Sequence, residues 1–173
     1  MRVRLAARLP QDGRVTGTAV QRAAWRDLDP ATAYAVLKLR VDVFVVEQEC
    51  PYPELDGRDL EPDADHLWVA GPGGSAVGAY LRVLAGRSGP DAAHADPAGA
   101  RRVGRVVTAP AERGHGLAGL LLDDVVAREG HRPLVLDAQA HLEGWYARWG
   151  FEVSGPGFLE DGIPHVPMTR SPR

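Results

Sequence analysis

A chain of 173 residues, 45% hydrophobic and 25% charged, has the length of one ordinary domain and enough apolar content for a core. Its net charge of −3 and pI near 6.1 give no basic footprint for nucleic acid, and no apolar run has the length needed to cross a bilayer. The single cysteine, Cys50, excludes an internal disulfide and a CxxC metal site and agrees with a reducing cytoplasm.

Residues 1–20 carry Arg2, Arg4, Arg8 and Arg14 against Asp12 with no adequate apolar segment after them, so they read as a disordered leader rather than a targeting signal. One domain is expected over 21–173. Alternating β-like and helical patterns point to an α/β class. Ala24 to Leu28 suits a first strand. Asp29 and Pro30 form a helix N-cap and N1 pair, and Tyr34, Leu37, Val41, Phe44 and Val45 then repeat at helical spacing, predicting a long helix that buries that face. Glu47 to Asp65 is acidic and broken by Pro51, Pro53 and Pro62, which predicts a surface loop. His66 to Gly71 and Ala76 to Leu84 read as a hairpin through Pro72-Gly73-Gly74. Residues 86–100, mostly Gly, Ala, Pro and Asp, suggest a flexible loop. Val103 to Thr108 is the expected central strand, Gly116 to Glu129 a helix stopped by Gly130, and Leu134 to Asp137 the next strand. A short helix over His141 to Trp149 and an antiparallel pair, Phe151 to Ser154 with Ile163 to Met168, complete the pattern.

The most informative segment is Glu112-Arg113-Gly114-His115-Gly116-Leu117-Ala118-Gly119, a glycine-rich turn between the central strand and its helix. Such a turn is an anion cradle: glycines let the backbone approach a phosphate, and the first helical turn points unpaired N–H groups and a dipole at it. Gly114-x-Gly116-x-x-Gly119 with Asp137 beyond it matches a dinucleotide fingerprint, which would make the chain an oxidoreductase. In that fold, however, the first glycine follows its strand almost at once, whereas five residues, Ala109 to Arg113, intervene here. Arg113-x-x-Gly116-x-Ala118 instead resembles the pyrophosphate motif of the GNAT superfamily of acetyl-CoA-dependent N-acyltransferases, and a bidentate guanidinium suits several phosphates.

The likeness extends from about Ala24 to Arg170. Leu39 to Tyr52, Glu54 to Asp59, Leu136 to His141, Trp145 to Phe151 and Glu160 to Met168 resemble the ElaA-like branch of that superfamily. The resemblance implies a GNAT-type α/β (α+β) fold, a mixed sheet of about six to seven strands flanked by helices, whose central parallel strands splay apart. It implies acetyl-CoA as co-substrate, with Val106, Val107 and Thr108 on the pantetheine and acetyl group, Arg113, Gly114, His115, Gly116, Leu117 and Ala118 on the pyrophosphate, and Gln139 as a polar contact. A homodimer is a common state in that superfamily.

Acetyl transfer to an amine needs a neutral amine, an oxyanion donor and an acid for the departing thiolate. The resemblance suggests Tyr146 as the acid, since a phenol of pKa about 10 is protonated at neutral pH and can donate to a thiolate of pKa about 8.5. It suggests the Val107 N–H as oxyanion donor and Glu47 as base acting through water. Gln48, His66 and His165 are assigned to the pocket for a small-molecule or peptide amine. A packed core tyrosine and solvated surface acids are the structural alternatives for Tyr146 and Glu47, and a non-catalytic CoA-binding module is the alternative for the whole chain. No metal is expected: His141-x-Glu143 lacks the Pro-Cys-x-x-Cys that would make it a zinc signature.

Overall fold

The computed structural model describes residues 19–88 and 95–173; the expected leader lies largely, and residues 89–94 of the expected flexible loop wholly, outside them. In chain order the elements are β1 (Gln21–Ala23), α1 (Pro30–Arg40), β2 (Asp65–Val69), β3 (Ala79–Ala85), β4 (Arg101–Thr108), α2 (Leu117–Glu129), β5 (Leu134–Gln139), α3 (Glu143–Ala147), β6 (Glu152–Val153), β7 (Phe158–Glu160) and β8 (Ile163–Arg170). The strands form one eight-stranded sheet in the order β1-β2-β3-β4-β5-β8-β6, with β7 beside β6 along the outer edge of β8. All pairings are antiparallel except β4 with β5.

Several expectations shift. The first strand precedes the expected one, because Trp25–Asp27 closes a 3-10 turn instead. Asp29 does cap α1, accepting from the N–H groups of Ala31 and Thr32 at 3.0 Å with Pro30 at N1. The buried face of that helix is Val36, Leu39, Arg40 and Val43, while Tyr34 is 71% exposed. A π-helical turn over Val41–Glu47 re-phases the end of the helix, and Arg40 is drawn inward by acids that the sequence pattern does not reveal. The closing strands number three rather than two, with β7–β8 forming a hairpin. The ends of the 86–100 segment are zipped: the Gly86 N–H donates to Ala100 O at 2.9 Å, and Asp96 receives Arg102 at 2.5 Å.

The two faces of the sheet differ in kind. Alternate residues of the central strands, among them Leu67, Leu81, Val103, Leu136 and Met168, pack with Leu117, Leu121, Leu122 and Val125 of α2 and with Tyr146 and Phe151 into one apolar core. The intervening residues face α1 and the 48–64 loop, where a smaller apolar group around Val36, Leu39, Tyr80 and Val107 borders buried His66, Arg82, Arg40, Glu54 and Asp59. Burying a helix stripe and one strand face by 3.6- and 2-residue periods explains the first layer. Only compensated charge can explain the second.

Candidate active site

Strands β4 and β5 pair at two positions, Arg101 with Leu134 and Arg102 with Val135, and then part. Beyond that point β4 follows β3 and β5 follows β8, to which it is matched along its whole length from Leu134 to Gln139. The divergence has a local cause in β4. Its partner register shifts between Tyr80 and Arg82, so that Arg105 and Val106 oppose the single residue Leu81. Arg105 there takes φ 55°, in the left-handed region that a side chain disfavours. Arg105 Nε lies 2.7 Å from Glu54 Oε2, and its guanidinium stands 5.7 Å from the Tyr52 ring centroid. These contacts hold the bulge open.

The splay forms a cleft of about 800 Å³, within the size range of small-molecule and cofactor sites. Val106, Val107 and Thr108 line it from β4, Arg113 and Ala118 from the turn and α2, and Gln139 and Tyr146 from the β5 side; Glu47, Gln48 and His165 complete the wall. The structure thus brings together ten of the residues singled out from sequence. Among the described residues no group of three or more His, Cys, Asp or Glu side chains is placed to hold a metal.

The turn from β4 to α2 runs through a 3-10 segment, Pro110–Glu112, and enters the helix at Gly116, which caps it without a side-chain bond. Gly114 and Gly116 have φ of 83° and 74°, and a Cβ on either would meet open space. Glycine is required there by backbone conformation, and the exposed amides of the first helical turn face outward. Leu117 is buried in the core, so any part it takes in the cradle is through its backbone. The His115 side chain is partly exposed, with Nδ1 3.1 Å from the Glu112 carbonyl.

Glu47 and Arg113 meet each other. Arg113 Nη2 lies 2.8 Å from both carboxylate oxygens of Glu47. Next to them the Gln139 amide donates to Gln48 Oε1 at 3.4 Å. The end of the π-helical turn is therefore joined to the cradle on one side of the cleft and to β5 on the other.

Tyr146 sits in α3, whose end is closed by Gly150 at φ 80°. Its ring packs edge-on against Trp145 and Phe151, and burial alone pushes its phenol well above the usual value. It is at once a core residue and a cleft residue. His165 lines the cleft with Nδ1 2.8 Å from the Ile163 carbonyl and its ring stacked on Phe158. Cys50 is buried, its thiol pushed up by burial, and so is a poor nucleophile.

Two assignments are corrected, and the acid of the dinucleotide alternative is accounted for. His66, expected in the acceptor pocket, is fully buried behind the β-sheet wall, with Nδ1 2.7 Å from the Tyr80 hydroxyl and Nε2 3.0 Å from the Asp59 carbonyl. Both ring nitrogens are occupied, and burial depresses its basicity. The Val107 N–H is turned away from the cleft: the Ala109 N–H donates to Gly78 O on the β3 side at 2.8 Å, and strand alternation sends the Val107 N–H the same way and those of Val106 and Thr108 into the cleft. Asp137, the ribose acid of the dinucleotide alternative, is held by Arg102 at 2.7 Å and Arg87 at 3.4 Å.

One cleft wall escaped the sequence altogether. Arg40 bonds Glu54 at 2.6 Å and Asp59 at 2.7 Å, and Arg82 bonds Asp59 at 2.8 Å and Asp56 at 2.7 Å. Burial opposes it, yet the bonds and charge of Arg82 hold Asp56 far below the usual carboxylate range. This network presses the proline-rich loop against the sheet. The one available signal was the Arg40, Glu54, Asp56, Asp59 block itself, whose acids read as solvated.

A mixed sheet split between its parallel strands, with a glycine turn at the mouth of the split, is the acyl-CoA N-acyltransferase architecture. Residues 45–172 match the acetyltransferase (GNAT) domain family, and the chain belongs to it. It is 46% identical to a UPF0039 protein of Mycobacterium tuberculosis over 88% of this chain and 94% of that one. Among solved structures, an acyl-CoA N-acyltransferase from Pseudomonas aeruginosa is 39% identical with a TM-score of 0.72, covering 90% of this chain and 100% of its own. Escherichia coli ElaA is 33% identical with the same TM-score and coverage.

Proposed function

We propose that the chain is an acetyl-CoA-dependent N-acetyltransferase that passes the acetyl group directly from thioester to a primary amine. The carrying observation is the β4–β5 split with the glycine turn and Arg113 at one end and Tyr146 on its wall. Pantetheine fits along the freed β4 edge, where the Val106 and Thr108 N–H groups have no strand partner, and the pyrophosphate fits over Gly114, Gly116 and the start of α2. Arg113 reaches that pyrophosphate by exchanging Glu47 for it, which leaves the Glu47 carboxylate free in the cleft.

In the reaction the amine nitrogen bonds to the thioester carbon, and the oxyanion is met by the Val106 N–H. Glu47, through a water, takes the proton lost by the amine. When the C–S bond breaks, Tyr146 gives its proton to the thiolate and regains one from solvent while Glu47 returns one to it, so that overall one proton passes from amine to coenzyme A. Its raised pKa keeps the phenol in the donor form throughout the neutral range. Gln48 and His165 border the space left for the acceptor.

The test is thiol release from acetyl-CoA in the presence of a panel of small amines, amino acids and peptide amines. Acceptor-dependent release of free thiol supports the proposal. Tight acetyl-CoA binding with no release across the panel and no acetylated product from a cell extract would favour the non-catalytic alternative.

A further inference from the structure

Glu112 stands immediately before Arg113. It is fully buried, although Ala111, Arg113, Gly114, His115 and Gly116 around it are exposed. Its side chain passes beneath the turn that joins β2 to β3. The Gly73 N–H donates to Oε2 at 3.1 Å. A Cβ on Gly73 would come within 2.8 Å of Oε1, and one on Gly71 would overlap the carboxylate. Neither glycine adopts the left-handed conformation, so their smallness there answers to the space that Glu112 occupies. The hairpin turn is itself closed by the Gly71 N–H on Ser75 O at 2.8 Å and the Gly74 N–H on Gly71 O at 3.0 Å.

The bond from the Gly73 N–H, with Ser75 close by, holds the carboxyl below its usual value, as an anion. An anion beneath a turn that receives pyrophosphate works against binding electrostatically, and an apolar residue would avoid that cost. The arrangement makes sense if the carboxylate's task is mechanical. Its main-chain neighbours agree: the Glu112 N–H closes the 3-10 turn onto Ala109 O at 2.8 Å, and its carbonyl faces His115 Nδ1 at 3.1 Å.

We propose that Glu112 is a positioning residue for the pyrophosphate, locking the Pro110–Arg113 turn onto the Gly71–Ser75 turn so that the Gly114 and Gly116 amides and the Arg113 guanidinium present at a fixed height. The inference rests on the cradle assignment made under the proposed function. Glu112 acts through the turn and touches neither pantetheine nor the reacting atoms.

The experiment measures the dissociation constants of two probes, acetyl-CoA and S-acetyl-pantetheine, the second lacking the pyrophosphate. Glu112→Ala is expected to weaken acetyl-CoA binding about tenfold or more, as loss of a hydrogen-bonded buried charge does, and to change S-acetyl-pantetheine binding less than about twofold. Glu112→Gln, which keeps the shape and the acceptor for Gly73, is expected to return acetyl-CoA binding to within about threefold of wild type. Gly73→Ala approaches the same carboxylate from the hairpin and is expected to reproduce the Glu112→Ala pattern in a chain whose cradle sequence is intact. Equal weakening of both probes, or no weakening of acetyl-CoA by either Glu112→Ala or Gly73→Ala, overturns the inference. Gly116→Val separates the two levels. If it abolishes the preference for acetyl-CoA while Glu112→Ala leaves it intact, Glu112 alone loses its role; if wild type shows no such preference, the cradle falls and the inference with it.

Discussion

The two faces of this sheet are made from alternate residues of the same strands, yet they are held by different forces. On the α2 side Leu67, Leu81, Val103 and Leu136 meet Leu121, Leu122 and Val125 in an apolar layer, stabilised in proportion to the area removed from water. On the α1 side three arginines, Arg40, Arg82 and Arg105, face Glu54, Asp56 and Asp59 in balanced pairs. The apolar layer supports the cradle helix from beneath. The charged layer ties the loop after α1 to the β4 bulge and so shapes the mouth of the cleft. One layer therefore tolerates change gradually, through volume, whereas the other depends on pairing and fails abruptly when one partner goes.

Breaking the charged layer is expected to have the largest effect. Asp59→Ala strips a partner from both Arg40 and Arg82 and is expected to cost about 3–5 kcal/mol, read as a drop in the urea unfolding midpoint. Leu121→Ala, at a fully buried position of the apolar layer, is expected to cost about 2–5 kcal/mol. The two differ in what rescues them. Leu121→Met should recover most of the loss, whereas Asp59→Asn, which keeps shape but not charge, should recover little.

Tyr146 belongs to the apolar layer and to the cleft at once, so Tyr146→Phe separates those roles. Packing is nearly unchanged, and stability should stay within about 0.5 kcal/mol of wild type, while turnover with an accepted amine falls at least about tenfold, equivalent to about 1.4 kcal/mol of barrier, and acetyl-CoA affinity persists. An unchanged rate would return Tyr146 to the core alone.

The smallest effect is on pH dependence. Burial keeps His66 neutral in the fold below the pH at which the unfolded chain, with an ordinary imidazole pKa of about 6.5, takes up a proton. The unfolded state then binds more protons. Stability from this group is therefore full above about pH 6.5 and declines as pH falls toward the lower folded value, at no more than about 1.4 kcal/mol per pH unit. Unfolding midpoints measured across this range should show the decline in wild type and lose that step in His66→Gln.

The same contrast governs what could be read from sequence. Asp29-Pro30, the turn with Gly114 and Gly116, and the strand before it were legible, because caps and left-handed glycines are local and leave local signatures. The apolar periodicity of α2 was legible for the same reason. Spacing alone misplaces the buried face of α1: Tyr34 and Val41 fit a helical stripe, but the partners that bury Arg40 instead lie 14 and 19 residues on, at Glu54 and Asp59. Compensation of charge across the fold has no periodic trace. Residue type suggests His66 for the acceptor, whereas its ring nitrogens are spent on Tyr80 and Asp59. The Arg105 bulge that opens the cleft was equally hidden, since a left-handed arginine is imposed by Glu54 and Tyr52 and not by its own preference.

Binding of acetyl-CoA in this cleft through the glycine turn is read from the melting temperature with saturating acetyl-CoA, with NADH and NADPH in parallel. Ligand at about 100 times its Kd adds roughly 2.7 kcal/mol, which for a domain of this size is a rise of some 5–10 °C. That rise is expected with acetyl-CoA in wild type, its loss in Gly116→Val, and none with either dinucleotide. A rise with a dinucleotide alone, or an acetyl-CoA rise undiminished in Gly116→Val, would contradict binding through the turn.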